Sequence, residues 1–185
     1  MTAVAENDAV MPDYCRARVV VLGCGNILFG DDGFGPAVAD YLATHLTVPA
    51  DTCVINAGLS AREILFTLVL SEIRPQEIII VDAVDARKTP GEIFEIDISE
   101  VPEKKIDDFS MHQLPASNLL RELKEFRGVD VRIVAVQVQD IPDSVRPGLS
   151  SAVCNAVPLA CSRILAEIGR NRVKQPDDPS AACSP

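Results

Sequence analysis

The chain has 185 residues, of which 48% are hydrophobic and 24% are charged. This length suits one domain with a substantial core and is short for two. The formal net charge of −10 and the sequence pI of about 4.6 make binding to nucleic acid or to an anionic membrane surface unfavourable. We therefore expect neither a nucleic acid nor a membrane as partner.

Both ends of the chain are predicted to be tails. Residues 1–16 are polar and lack periodicity, and residues 170–185 are rich in Pro, Ser and charge. One folded domain is therefore predicted over residues 17–169. The N-terminal segment supports neither a signal peptide nor a membrane span, so we expect a cytoplasmic protein. Because no apolar segment is left unassigned, we also expect a monomer.

The six cysteines lie far apart, without Cys-x-x-Cys spacing. In a cytoplasmic chain this pattern is typical of reduced thiols, most of them buried as small hydrophobic residues.

The first half of the folded region alternates strands and helices. "RVVVLG" is a continuous β-branched run and predicts a central strand, and "GPAVADYLATHL" has helical spacing. "DTCVINAG" predicts a second strand. "SAREILFTLVLSEI" predicts a second helix, which opens on a capping-box pattern of Ser60 and Glu63.

The second half departs from simple alternation. "PQEIIIVDAV" predicts a third buried strand, whereas the alternating "GEIFEIDI" indicates a half-exposed, antiparallel edge strand. A polar connection over residues 101–114 precedes the helix "PASNLLRELKEF", which is predicted to begin at its proline. "VDVRIVAVQV" is a last strand, and "LSSAVCNAVPLACSRILAEI" is a helix that Pro158 is predicted to kink.

This order of elements predicts an α/β fold. We expect three layers, with a mostly parallel twisted sheet of about five strands and helices on both faces.

The loop "GCGNILFGDDGFG" after the first strand begins like a nucleotide-binding turn. The dinucleotide fingerprint requires a glycine where the chain has Leu28, and no Lys-Ser or Lys-Thr follows the glycines as in a P-loop. Asp31 and Asp32 would also repel a phosphate. The loop is therefore more suited to a cation than to an anion.

Carboxylates from two loops are predicted to converge. Open α/β sheets bind ligands beyond the carboxyl ends of their strands, so a strand order of 2-1-3 brings Asp32 close to Asp82, at the end of the third strand. An added imidazole would suit nickel, zinc or iron. His112 lies in a polar loop and could be a ligand or an acid-base group, whereas His45 is expected to act as a cation at a helix C-terminus. Asp31 is interpreted as a turn residue or a helix N-terminal acid.

Three fragments, "GCGNILFGDDGFG", "VDAVD" and "MHQL", occur in order at the predicted loops. This set resembles the nickel-iron hydrogenase maturation endopeptidases, and the first fragment is most similar to the group that serves deazaflavin (coenzyme F420)-reducing hydrogenases. The resemblance implies that Asp32, Asp82 and His112 form the catalytic and nickel-recognising site, although many relatives have glutamate where this chain has Asp32.

The resemblance also implies the activity. Such a protease removes the C-terminal peptide of the hydrogenase large-subunit precursor after nickel insertion, and it recognises nickel that the substrate supplies. No organic cofactor is expected. Two alternatives remain at the level of sequence. One is a nickel-binding accessory chaperone that performs no hydrolysis, and the other is a nucleotide-binding α/β module.

Overall fold

The computed structural model describes residues 11–98 and 117–174, the last four of these by their backbone alone. The strands, in chain order, are β1 (Val19–Cys24), β2 (Thr52–Gly58), β3 (Glu77–Val84), β4 (Ile93–Ile96) and β5 (Asp130–Gln137). They form one sheet in the order β2-β1-β3-β5-β4. The pairs β1–β2, β1–β3 and β3–β5 are parallel, and β4 is antiparallel to β5 at the edge. The order 2-1-3, on which the expected convergence of the two acidic loops depended, is present, and the antiparallel edge strand is confirmed.

In the described part of the chain, four α-helices cover the sheet. They are α1 (Phe34–His45), α2 (Ala61–Leu70), α3 (Ser117–Arg127) and α4 (Ser151–Lys174). Side chains of α2 and α3 pack in one hydrophobic cluster with one face of the sheet, and side chains of α1 and α4 pack in a second cluster with the opposite face. The three-layer α/β architecture predicted from the sequence is therefore confirmed.

The buried strands supply both clusters by simple alternation. In β1, Val20 and Leu22 belong to the cluster beneath α2 and α3, whereas Val19 and Val21 belong to the cluster beneath α1 and α4. Every residue of β1 and of β3 is buried. Because burial of one such aliphatic side chain contributes about 1.5–3 kcal/mol, these two strands are central to the stability of the domain.

The folded domain extends beyond the predicted boundaries at both ends. A short 3-10 turn at Asp13–Cys15 places Cys15 in the core with no exposed surface, so the predicted tail of residues 1–16 includes residues of the folded domain. At the other end, α4 continues to Lys174, into the predicted tail of residues 170–185. Polar composition concealed both extensions. The first depends on one buried residue in a short helical turn, and the second on an additional turn at the end of α4.

The N-terminus of α2 differs from the prediction. Ser60 makes no side-chain cap hydrogen bond, and its φ of −91° and ψ of 8° lie outside the extended region typical of an N-cap. Its carbonyl oxygen instead accepts the N–H groups of Glu63 and Ile64 at 3.1 and 3.3 Å. The predicted capping box is therefore wrong. The predicted helix start at Pro115 and the polar connection over residues 101–114 lie outside the described residues.

Helix α4 is a core helix of the domain. By length and hydropathy alone, the stretch Ser151–Arg170 could cross a membrane. Val157, Cys161 and Ile164 of this stretch pack into the cluster beneath α1 and α4, which accounts for its apolar composition. The helix continues through Pro158, and the predicted kink there stays a prediction.

Candidate active site

Close backbone packing positions the loop that follows β1. A Cβ atom on Gly35 would lie 2.2 Å from the carbonyl oxygen of Cys24 and 2.4 Å from that of Val81. Helix α1 therefore begins directly against the ends of β1 and β3, an approach that requires glycine. Gly25 has a φ of +122°, and a Cβ there would lie 1.9 Å from the carbonyl oxygen of Asp32. The glycines thus allow the loop to fold back over the strand ends.

Asp32 lies in the short 3-10 turn Gly30–Gly33, which packs against β3. Its Oδ2 accepts the N–H of Asn26 at 2.7 Å, a charge-assisted bond that orients the carboxylate. The side chain is only partly buried. Asp32 is therefore held in place by its own loop while remaining accessible at the rim of the sheet.

Asp82 lies near the carboxyl end of β3 and is 3% exposed. Its Oδ1 accepts the N–H of Ala83 at 2.8 Å. Burial raises the pKa of Asp82 well above its usual range, the Ala83 hydrogen bond opposes this shift, and the negative charge of Asp32 adds to it. Asp32 is therefore near enough to act on the ionisation of Asp82, as expected for two acids at one rim of the sheet.

The convergence follows from the strand register. β1 and β3 are hydrogen-bonded neighbours, and Gly23 is paired with Val81. Asp82, the next residue of β3, therefore lies beside the point where β1 ends and the loop that carries Asp32 begins. The parallel arrangement brings together two residues that are far apart in the chain.

Cys24 is a further buried group beside this pair. It is 2% exposed, and its Sγ donates to the carbonyl oxygen of Leu22 at 3.6 Å. Burial raises the pKa of Cys24 well above its usual range, and the charge of Asp82 raises it further. The thiol is therefore protonated and lacks the thiolate character that nucleophilic catalysis requires. All five cysteines in the described ranges are free thiols.

Asp31 has a structural role that sequence analysis identified only in part. Its side chain is completely buried. One carboxylate oxygen accepts the N–H groups of Gln139 and Asp140 at 2.7 and 2.9 Å and the hydroxyl of Ser150 at 3.0 Å, and the other accepts the N–H of Ser150 at 2.7 Å. Asp31 therefore joins the first loop to the segment between β5 and α4. Its carboxylate is directed to Ser150, the residue before α4, although Asp31 itself lies in the turn that precedes α1.

Gln137, at the end of β5, was not predicted to be important. Its side chain is 4% exposed, its Oε1 accepts the N–H groups of Ala86 and Lys88 at 2.8 and 3.0 Å, and its Nε2 donates to Asp85 at 3.0 Å. The hydrogen bond from Gln137 is the main cause that lowers the pKa of Asp85. One buried amide thus shapes the loop that follows Asp82. The single sequence signal was a glutamine at the end of an apolar strand.

The two histidines differ in what the structure says of them. His45 is the last residue of α1, where its ring stacks on Tyr41 with 4.6 Å between the ring centroids. Its position at the C-terminus of α1 agrees with the prediction. His112 lies outside the described residues. Within the ranges 11–98 and 117–174, no group of three His, Cys, Asp or Glu side chains is arranged to hold a metal ion. A ligand set that combines Asp32, Asp82 and His112 therefore stays a prediction.

The charge distribution decides what this rim can bind. Two carboxylates share a site from which water is largely excluded at Asp82, so an approaching anion is repelled and a divalent cation is attracted. Carboxylate oxygens suit hard or borderline cations. The arrangement is also suitable for acid-base chemistry, because burial raises the pKa of the Asp82 carboxyl group and so favours its protonated form.

Comparison with known proteins identifies relatives over most of the chain. A family model described as hydrogenase maturation protease matches residues 36–167. A putative hydrogenase maturation protease of Methanocaldococcus jannaschii is 40% identical over 155 residues, covering 83% of this chain and 97% of the relative. The coenzyme F420 hydrogenase subunit delta of Methanothermobacter thermautotrophicus is 36% identical over 157 residues, covering 83% of this chain and 96% of the relative.

A solved structure agrees with these matches. The hydrogenase maturating endopeptidase HybD from Escherichia coli aligns with a TM-score of 0.64 and 28% sequence identity, covering 83% of this chain and 93% of that one. The resemblance to the hydrogenase maturation endopeptidases is thereby confirmed. The chain belongs to the hydrogenase maturation protease family and is a peptidase.

Proposed function

We propose that this peptidase removes the C-terminal peptide from the precursor of a nickel-iron hydrogenase large subunit after nickel insertion. The observation that carries the proposal is the convergence of Asp32 and Asp82 at the rim, in a chain of this family. In the proposal His112 completes the site. Its assignment rests on the resemblance of "MHQL" to the family's loop.

Nickel enters as part of the substrate. Two carboxylates and one imidazole form an incomplete ligand set, which can be completed by thiolates that already hold nickel in the precursor. Binding would then place a positive charge between Asp32 and Asp82 and relieve their mutual repulsion. A precursor without nickel offers no such compensation. The site therefore distinguishes loaded from unloaded precursor by electrostatics.

Peptide cleavage follows from positioning. Nickel bound between the precursor and the rim holds the scissile peptide at a fixed place, and either a polarised carbonyl or a water next to the metal provides the chemical step. Water adds across the peptide bond, leaving a new carboxyl terminus on the large subunit and a free amine on the released peptide. Because each precursor is cut once, a slow rate is sufficient.

The similarity to the coenzyme F420 hydrogenase subunit delta supports a narrower substrate class. We propose that the precursor belongs to a deazaflavin-reducing hydrogenase. Cleavage of that precursor in preference to a precursor from another hydrogenase class would test this step. Equal rates on both would contradict it.

The remaining expectations concern the protein's state in the cell. We propose a cytoplasmic monomer without an organic cofactor. Size-exclusion chromatography with light scattering tests the oligomeric state, cell fractionation tests the location, and the absorbance spectrum of the purified protein tests for an organic cofactor. A stable dimer or a membrane-bound fraction would contradict these expectations.

The central test follows loss of the C-terminal peptide by mass spectrometry. Wild type is compared with Asp32→Ala, Asp82→Ala and His112→Ala on nickel-loaded and nickel-free precursor. Asp40→Ala is a matched control, because Asp40 is an exposed acid on α1 that accepts a hydrogen bond from Asn56 at 3.0 Å. We expect wild type and the control to cut only the loaded form, and the three site variants to be folded and inactive.

Two results would contradict the proposal. Equal cleavage of nickel-free precursor would show that nickel is not recognised. Activity in the site variants would show that other residues carry out the cleavage. An intact loaded precursor after incubation with folded wild type would favour the accessory chaperone.

A further inference from the structure

Four large apolar side chains are exposed on two loops beside Asp32. Ile27 and Leu28 precede the 3-10 turn of Asp32 and are 60% and 43% exposed, and Ile141 and Val145 lie between β5 and α4 and are 42% and 64% exposed. We call these four residues the apolar platform. Clusters of exposed apolar residues on a soluble protein mark interaction sites more often than isolated ones do.

Backbone hydrogen bonds join the two loops. The N–H of Arg146 donates to the carbonyl oxygen of Leu28 at 2.8 Å, and the N–H of Gly30 donates to that of Arg146 at 2.9 Å. A third bond runs from the N–H of Asp31 to the carbonyl oxygen of Asp140 at 3.2 Å. Each platform residue therefore lies on, or directly next to, one of two paired segments.

The buried carboxylate of Asp31 reinforces the same pairing. It accepts hydrogen bonds from Gln139, Asp140 and Ser150, which belong to the second loop. The exposure of the apolar platform is thus a property of a fixed surface. A partner that binds such a surface loses little free energy to ordering the loops.

One ion pair lies beside the apolar platform. Arg146 pairs with Asp140, whereas Asp143 of the same loop is exposed and the first loop carries Asp31 and Asp32, so the two loops are acidic. A partner surface that fits here therefore has apolar residues at its centre and no excess of acids.

We propose that the apolar platform binds an apolar segment of the hydrogenase large-subunit precursor and holds the precursor against the rim. The inference rests on the proposed function, because it assumes that precursor. The argument for this occupant is position: the N–H of Asn26, directly before Ile27, donates to the Asp32 carboxylate at 2.7 Å, so a precursor bound at Asp32 lies against the first of the two loops. Contact with both loops fixes the distance between the precursor and Asp32.

The test measures single-turnover cleavage of purified nickel-loaded precursor at increasing concentrations of the peptidase. The variants are Val145→Ser and the double variant Leu28→Ser with Val145→Ser. Leu159→Ser is the matched control, because Leu159 is 64% exposed, as Val145 is, but lies on α4. Circular dichroism and thermal unfolding verify that every variant is folded.

We expect the double variant to raise the half-saturating peptidase concentration about tenfold and to leave the maximal rate within about twofold of wild type. The control should match wild type in both quantities. An unchanged half-saturating concentration, or an equal effect of the control, would overturn the proposal. A fall in the maximal rate alone would do the same, because it would indicate a role in the chemical step.

Direct binding of the same precursor, followed by fluorescence anisotropy, separates this inference from the proposed function. If wild type binds the precursor without cutting it, the cleavage proposal fails, and weaker binding by the platform variants still supports the docking role. Unchanged binding by those variants overturns it. If the substitutions instead convert a wild-type dimer to a monomer and leave precursor binding unchanged, the apolar platform joins two copies of this chain, and the proposal is wrong.

Discussion

The two ends of β3 each bury an acid, and their surroundings differ. At the amino end, Glu77 is 3% exposed and lies 3.4 Å from the guanidinium of Arg132, which also contacts Asp130 at 3.2 Å. At the carboxyl end, Asp82 is equally buried, and its electrostatic neighbour is another acid, Asp32. One buried acid is neutralised by a cation of the protein, and the other is repelled by a neighbouring anion.

The amino-end acids form a network. Arg163 contacts Glu95 and also Glu167 at 3.2 Å, and Glu167 lies 4.0 Å from Arg132. Such pairing recovers part of the cost of removing charges from water. At the carboxyl end the neighbouring charge of Asp32 instead raises the pKa of Asp82, which is consistent with a site for a cation. The difference teaches that burial by itself does not mark function, whereas burial next to a like charge does.

Asp82→Asn breaks the carboxyl-end pair with the smallest change in shape. The amide retains an oxygen that can accept the Ala83 N–H, so we expect a folded protein. Cleavage of nickel-loaded precursor should fall on the order of a thousandfold, because one of the proposed nickel contacts is lost. Mass spectrometry of the precursor measures this, and near wild-type cleavage would refute a role for the Asp82 carboxylate.

Asp31→Asn tests the structural acid adjacent to Asp32. An amide nitrogen would replace an oxygen that accepts hydrogen bonds, so donors would face donors, and we expect a loss of about 3 kcal/mol in the free energy of unfolding. Urea denaturation measures the change. The exposed Asp40→Asn serves as control and should change stability by about 0.5 kcal/mol or less. Equal effects of the two substitutions would mean that the buried hydrogen bonds of Asp31 contribute little.

Glu77→Gln is the counterpart of Asp82→Asn in the same strand. It removes a buried charge that Arg132 compensates, and we expect a loss of about 1–2 kcal/mol in stability, reduced by the partial exposure of Arg132. Cleavage of the loaded precursor should be unchanged. Urea denaturation and the cleavage assay together measure both effects. Loss of activity in a folded Glu77→Gln variant would show that the contrast between the two ends is not functional.

The pH dependence of stability sharpens the same contrast in the metal-free protein. Burial raises the folded-state pKa of Asp82, so the folded chain binds more protons than the unfolded chain between the two pKa values. The contribution of protonated Asp82 is complete at acid pH and is lost as the pH rises through the raised value. The Asp82→Asn variant has no ionisable group at this position, so its stability does not fall in this way as the pH rises.

The difference in unfolding free energy between Asp82→Asn and wild type should therefore grow in favour of the variant as the pH rises. Urea denaturation at several pH values measures it. A difference that stays constant with pH would show that Asp82 titrates as it does in the unfolded chain.

Much of the site could be predicted because it depends on strand ends. The apolar runs of β1 and β3 indicated two buried parallel strands, and Asp32 and Asp82 follow them in the sequence. Parallel pairing then brings the two acids to one rim. The partners of Asp31 could not be predicted in this way, because Gln139 and Ser150 lie 108 and 119 residues away from it in the chain.

Local patterns were a poor guide where a single contact decides the outcome. The Ser60 and Glu63 spacing matched a capping box, but the backbone of Ser60 does not adopt the required conformation. Cys15 lies in a polar segment and is nevertheless buried in the core. Both outcomes depend on packing against distant elements, which residue type and spacing do not encode.

Hydrophobic periodicity and the acids at the strand ends were enough to predict the fold class and, given a strand order of 2-1-3, the rim at which the acids lie. Only the tertiary structure decided which acid is which. Asp31 and Asp32 are chemically identical neighbours in the chain. The carboxylate of Asp31 accepts hydrogen bonds from the loop between β5 and α4, whereas the charge of Asp32 raises the pKa of Asp82. Their roles differ because three-dimensional packing, and not residue type, sets the hydrogen bonds and charges around each carboxylate.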